Sequence, residues 1–240
     1  VASESLEKID LQGENVALRD KVYDELLKLL IAGRFAPGDS LSIDGLSRVF
    51  GISQTPVREA LVEVERTGLV RREARRGYRV AEQLTKKEVN DLVETRLLLE
   101  IPAAKKALNS EGPLIADLNE ALKAHRETVD LMEKYGDDAD LELILRYFDA
   151  DWKFHEVILQ HADNRYLEAA VNSLSFQVHR MRQTVGSGIS DGRYAVKEHA
   201  RIVKAFESGN ESAVADAMCT HLQNVLLRSE HDAEIIDEEE

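Results

Sequence analysis

Apolar residues recur at helical spacing along most of this chain. Val22, Leu26, Leu29 and Leu30 share one face of a helix expected over residues 17–31, which Gly33 and Pro37-Gly38 end. A short helix is expected around Ile43–Phe50, with Leu46 and Val49 turned inward, then a tight turn at Gly51. Ser53 is placed to cap the next helix, and Pro56 falls in its first turn, where a missing N–H costs nothing. That helix is expected to reach Thr67 and stop at Gly68. Leu69–Arg72 and Gly77–Val80 then read as two short strands around a basic loop. Helix, short helix, turn, helix and basic hairpin form the pattern of a winged helix-turn-helix.

Beyond the hairpin the period stays helical. Thr85 and Glu88 have capping-box spacing, and Leu92, Thr95, Leu99 and Ala103 mark one stripe of a long helix ending near Asn109. Further helices are expected over 113–135, 138–162, 164–186, 192–208 and 211–231, with breaks at Gly112, Gly136, Gly186/Gly188 and Gly209-Asn210. The expected organisation is a loose polar terminus (1–16), a winged helix-turn-helix (17–82), an all-helical antiparallel bundle (83–231) and an acidic tail (232–240). The fold class is mostly α.

Composition adds three exclusions. The single cysteine, Cys219, rules out a disulfide within the chain. No apolar run approaches the roughly 18–20 residues of a membrane span. The opening VASESLEKID has neither a basic start nor an apolar stretch, so no signal peptide is expected and the expected location is the cytoplasm.

Charge changes the picture further. The 240 residues carry a net charge of −14, yet residues 45–80 hold eight arginines against four glutamates. Screening lets such a local basic patch act on a polyanion within an acidic protein. The N-terminal end of the second helix of the motif can enter a major groove. There Gln54 can pair with adenine and Arg58 with guanine or a phosphate, while the hairpin arginines hold the backbone.

A second candidate chemistry lies in the helical part. Asp151 and His155 are four residues apart, so one helix face offers two ligands to one ion. His199 and His221 each sit on or beside an apolar stripe of a later helix, formed by Ile202, Val203 and Phe206 in one case and Met218, Leu222 and Val225 in the other. A bundle can bring such residues inward, although spacing alone does not make them meet. Arg96 and Glu100, also four apart, suit either a surface ion pair or a fork that receives a carboxylate ligand. His179 suits either a ligand cavity or a satisfied core histidine.

The run LSIDGLSRVFGISQTPVREALVEVERTGLVRREARRGYRV (Leu41–Val80) closely resembles the DNA-binding domain of GntR-family bacterial transcriptional regulators. The second part is similar to the all-helical FCD domain of the FadR subfamily. It shares ETRLLLE (Glu94–Glu100), DWKFHEVI (Asp151–Ile158), ADNRYL (Ala162–Leu167), EHARIVKAF (Glu198–Phe206) and AMCTHL (Ala217–Leu222). The resemblance implies DNA contact through Ser53, Thr55, Arg58 and Gly77, which match the family pattern, while Gln54, Arg75 and Arg76 are expected contacts by their own chemistry at the helix start and in the basic loop. It implies a divalent ion held by Asp151, His155, His199 and His221, with zinc the first expectation and nickel or manganese also suited to the donor set. Arg96 and His179 become expected contacts of a small carboxylate effector. A homodimer is expected, since two recognition helices reading a pseudo-palindromic operator need two-fold symmetry. Many relatives carry arginine where this chain has Asp44 and Gln54, so the operator sequence does not transfer.

Two other classes compete. A metallohydrolase with an attached DNA-binding domain would use the open ion position to activate water, with Glu156 or Asp149 as base. No HExxH, glycine-rich phosphate loop or nucleophile elbow supports it. A helical interaction module with a purely structural metal is the other. The expected function is therefore a regulator, most simply a repressor, and not an enzyme.

Overall fold

The computed structural model describes residues 18–74, 77–176, 178 and 191–237, which divide into two compact units meeting between Gln83 and Leu84. The polar N-terminal stretch lies outside the described residues, as do Arg75, Arg76 and His179.

In the first unit, α1 (Leu18–Ile31) buries Val22, Leu26, Leu29 and Leu30 and packs against α3 (Gln54–Arg66). Between them, α2 (Ile43–Phe50) is capped by Ser42, whose side chain accepts from the Gly45 N–H. Gly51 ends α2 at φ +64, a left-handed position natural to glycine, and donates to the Ser47 carbonyl. Ser53 holds the N-cap position of α3 in an extended conformation, but its side chain makes no capping hydrogen bond. Val57, Ala60, Leu61 and Val64 form the inner face of α3.

Strands β2 (Val70–Glu73) and β3 (Gly77–Val80) pair antiparallel with Val70 opposite Val80. A third strand, β1 (Ser40–Leu41), was not expected; it pairs antiparallel with β3, giving the order β1-β3-β2. Two residues carry no readable alternation, so only the pairing partner reveals such a strand.

The second unit is helical among its described residues. Thr85 and Glu88 form the capping box of α4 (Lys86–Ala107). Then come α5 (Leu114–Tyr135), a 3-10 turn at Gly136–Asp138, and α6 (Leu141–His161), which is capped by Asp140 accepting from the Leu143 N–H. The last three are α7 (Arg165–Asn172), α8 (Gly192–Glu207) and α9 (Glu211–Asp237). Helix α4 packs on α6, α7 and α9, while α5 packs on α6 and α8, and α8 on α9. This arrangement surrounds a core that includes Val93, Leu118, Tyr147, Phe154, Ile202 and Met218.

Three expectations change. The inner stripe of α4 is Val89, Val93, Arg96, Glu100, Ala103 and Ala107, while Thr95 of the expected stripe is exposed and Leu92 and Leu99 are half-buried. A charged pair on the inner line shifts the hydropathy maximum off the true face. The helix expected over 164–186 is interrupted after Asn172, where the Ser173 hydroxyl donates to the Ala170 carbonyl, and residues 179–186 of that expectation lie outside the described residues. Helix α9 runs on to Asp237 instead of ending near residue 231, since AEIID contains no glycine or proline to stop it.

Candidate functional site

On the first unit, Ser53, Gln54, Thr55 and Arg58 are all exposed at the start of α3. Gly77 opens β3 at φ +88, a backbone position that a β-carbon would strain, so glycine sets the turn of the wing. Arg71 and Arg72 stand exposed on β2 beside it. The structure also accounts for Asp44, a negative charge close to the start of α3. Arg48 pairs with its carboxylate at 3.1 Å, and the Gln54 amide donates to it at 3.3 Å. Asp44 thus orients the first side chain of α3, and Arg48 offsets its charge. Arg48 belongs to the basic cluster in sequence, but its role rests on the i,i+4 spacing from Asp44.

The helical unit buries a set of ionisable side chains. On α6, Asp151 and His155 are 2% and 1% exposed; His199 on α8 and His221 on α9 are 0% and 1%. His155, His199 and His221 converge, with ligand atoms all within 4.8 Å of one another. Their ring centroids lie 4.8 to 5.2 Å apart. Asp151 falls in a second, overlapping group with His125 and His199, so His199 is common to both.

Each of the three converging histidines is held by its Nδ1. His155 Nδ1 lies 2.7 Å from Glu100 Oε2, His221 Nδ1 2.8 Å from Glu198 Oε2, and His199 Nδ1 3.2 Å from His125 Nδ1. The opposite atoms, Nε2 of His155, His199 and His221, are buried and have no hydrogen-bond partner. Three buried, partnerless imidazole nitrogens in one cluster are costly unless a cation joins them. This donor set, with an adjacent carboxylate, fits a divalent ion of the zinc, nickel or manganese type.

The electrostatics support the same arrangement. Burial, followed by the neighbouring His221, pushes His199 well below its ordinary pKa, and burial likewise lowers His221. Both are therefore neutral, the form that binds metal. Burial alone would raise Glu100, but the Arg96 charge and the bond to His155 outweigh it and bring it to about 2. Glu198 is also brought to about 2: burial opposes, and hydrogen bonds from His221 and Arg228 prevail. Both outer carboxylates are charged anchors that orient a ring.

Arg96 is not a surface residue. It is 1% exposed, donates to Glu100 through Nε at 2.5 Å and Nη2 at 3.4 Å, and faces the Trp152 ring at 5.7 Å. The surface ion-pair alternative for Arg96 and Glu100 is thereby excluded. A cavity of about 190 Å³ between α8 and α9, lined by Glu198, Arg201, Asp216, Ala217, Thr220 and His221, reaches the edge of the cluster. His125 and Glu198 were not singled out in the sequence. The available signal was a histidine on the apolar stripe Leu118, Leu122, Val129 and Met132, and a glutamate adjoining His199.

An exposed helix start beside a small sheet, joined in one chain to a helical unit, defines a winged-helix DNA-binding protein with a second helical domain. The model of bacterial regulatory proteins of the gntR family matches residues 18–80, and the FCD domain model matches 91–224. The chain belongs to the GntR family and carries an FCD domain; it is a transcriptional regulator. It is 30% identical over 213 residues to the HTH-type transcriptional regulator LutR of Bacillus subtilis, covering 80% of this chain and 92% of LutR. It is 26% identical to the HTH-type transcriptional repressor RspR of Escherichia coli, over 87% of both chains. The solved structure of E. coli McbR/YncC shares the fold, with a TM-score of 0.69 and 19% identity over 90% of this chain and 99% of that one. These relatives and both domains are regulators, not enzymes. No helix among the described residues is long and apolar enough to cross a membrane.

Proposed function

We propose that this regulator is a cytoplasmic repressor that binds a pseudo-palindromic operator as a homodimer and is released by a small carboxylate metabolite. The observation that carries the proposal is the convergence of three buried, partnerless Nε2 atoms beside Asp151, each ring fixed from behind. We assign Asp151, His155, His199 and His221 as ligands of a divalent ion, zinc first. Such an ion would supply an electrophilic anchor for the effector's carboxylate.

The chain's own residues set the rest. Glu100 and Glu198 orient His155 and His221. Arg96 is the proposed second anchor; Glu100 occupies its Nε and Nη2, so contact with an effector falls to Nη1. His179 is a proposed lining residue. Operator contact is assigned to Ser53, Gln54, Thr55, Arg58, Arg75, Arg76 and Gly77, with Gln54 directed toward adenine. Repression is favoured by the likeness to RspR, which is named a repressor. An effector can shift operator binding only if it binds one arrangement of the dimer better than the other.

The test starts from an operator selected in vitro from genomic fragments. Fluorescence anisotropy then follows its binding by metal-loaded protein against a panel of small carboxylates, while melting reports which of them bind. Under the proposal, at least one carboxylate that raises the melting temperature also weakens operator binding. Unchanged operator binding at saturation by every stabilising carboxylate refutes the switch.

A further inference from the structure

We infer that His125 is a positioning residue that keeps the proton of His199 on Nδ1 and so leaves His199 Nε2 bare as a metal donor. The inference rests on the metal reading above.

His125 sits on α5, fully buried. Its two ring nitrogens face different groups. Nδ1 lies 3.2 Å from His199 Nδ1, and Nε2 lies 3.6 Å from Asp151 Oδ1. A contact between two imidazole nitrogens at that distance holds one proton, and an imidazole with a single proton carries it on one nitrogen only. That leaves two arrangements. If the shared proton belongs to His125, its Nε2 is bare and turns a lone pair toward the Asp151 carboxylate. His199 then carries its own proton on Nε2, aimed among the other imidazoles. If the shared proton belongs to His199, His125 carries its proton on Nε2 and points it at the carboxylate. His199 Nε2 is then bare. The second arrangement replaces a repulsive contact with an attractive one and leaves no proton inside the cluster.

The other ligand rings follow the same rule. Glu100 and Glu198 can only accept, so His155 and His221 must donate from Nδ1 and keep Nε2 bare. His125 completes the set for His199. It differs from the two glutamates in being neutral and in linking His199 to Asp151, another proposed ligand. The plane of the His199 ring is already fixed by Phe154, stacked at 4.0 Å and 8°. What remains for His125 to set is the tautomer.

The test uses the full chain with 15N-labelled histidine. Long-range proton–nitrogen correlation spectra of the metal-free wild type read the tautomers directly. The expected result is Nδ1–H for His199 and Nε2–H for His125; Nδ1–H on His125 overturns the inference. Zinc affinity is measured by competition with a chromophoric chelator in wild type, His125→Leu and His125→Gln. Leucine removes both polar contacts and is expected to weaken zinc binding by roughly 10–100-fold. Glutamine, with a carbonyl to accept from His199 and an amide to face Asp151, is expected to recover most of that loss. Cobalt(II) absorption bands should stay in place in all three proteins. Displaced bands in His125→Gln would make His125 a ligand and overturn the positioning role, as would wild-type affinity in His125→Leu. A wild-type chain that binds neither zinc nor cobalt overturns the metal reading itself, and this inference with it. Should His125→Leu fail to fold, the wild-type spectra and His125→Gln decide the matter.

Discussion

Up to Gln83, the one buried polar side chain among the described residues is Ser47. From Leu84 onward the interior holds Arg96, Glu100, His125, Asp151, His155, Glu198, His199 and His221. The first unit has an ordinary apolar core and displays its charge, with Arg58, Arg71 and Arg72 exposed. DNA is recognised by charge that water also sees, so it needs a rigid scaffold and an open surface. The second unit also places ionisable groups where water is absent. There each group needs a partner, and unpartnered atoms point to a missing one. Ionisable residues therefore carry different information in the two units: exposed arginines mark a surface for a polyanion, whereas buried histidines form a cluster that could hold an ion.

That comparison predicts different costs. Arg96→Met leaves Glu100 buried beside only His155 and is expected to destabilise the chain by about 3–5 kcal/mol, read by chemical denaturation. A loss below about 1 kcal/mol, the level of an exposed pair, would erase the contrast between the units. Arg58→Ala, on the exposed side, is expected to weaken operator binding by about 1–3 kcal/mol and leave the melting temperature unchanged.

Acidification of the metal-free chain separates the units next. His199 and His221 bind a proton more weakly when folded than at their ordinary value of 6.5, so protonation favours the unfolded chain. Their contribution is complete above pH 6.5 and is lost as pH falls below it. Glu100 and Glu198, near 2 when folded against an ordinary 4.5, contribute above 4.5 and lose that contribution as pH falls toward 2. The melting temperature should fall from pH 6.5 to 4.5 and fall further below; a flat profile across the first interval contradicts the buried cluster. The smallest effect is expected at Arg48→Ala. It breaks an exposed pair with Asp44 and changes stability by no more than about 1 kcal/mol, while uncovering a charge that weakens operator binding.

Much of the first unit was legible because its signals are local. The buried face of α1 follows the spacing of Val22, Leu26, Leu29 and Leu30, and Gly51 marks the end of α2. β1 was not legible, since Ser40 and Leu41 become a strand only by pairing with Arg79 and Tyr78. In the second unit the helices were legible, but the inner face of α4 was not. Hydropathy places Arg96 and Glu100 outside, and only packing on α6 and α9 shows that they face in. Asp151 and His155 share a helix face by spacing alone. His199 and His221 joined them through the family resemblance, because their approach depends on how α6, α8 and α9 pack. His125 escaped notice for the same reason: its partner His199 is 74 residues away.

The measurement closest to the central claim is elemental analysis of protein purified without chelator or a metal-affinity tag, beside His155→Ala and His199→Ala, each after exposure to zinc. The account predicts about one divalent ion per wild-type chain and none retained by either folded variant. Full occupancy in both variants, or a wild-type chain that takes up no zinc, nickel or manganese, would contradict it.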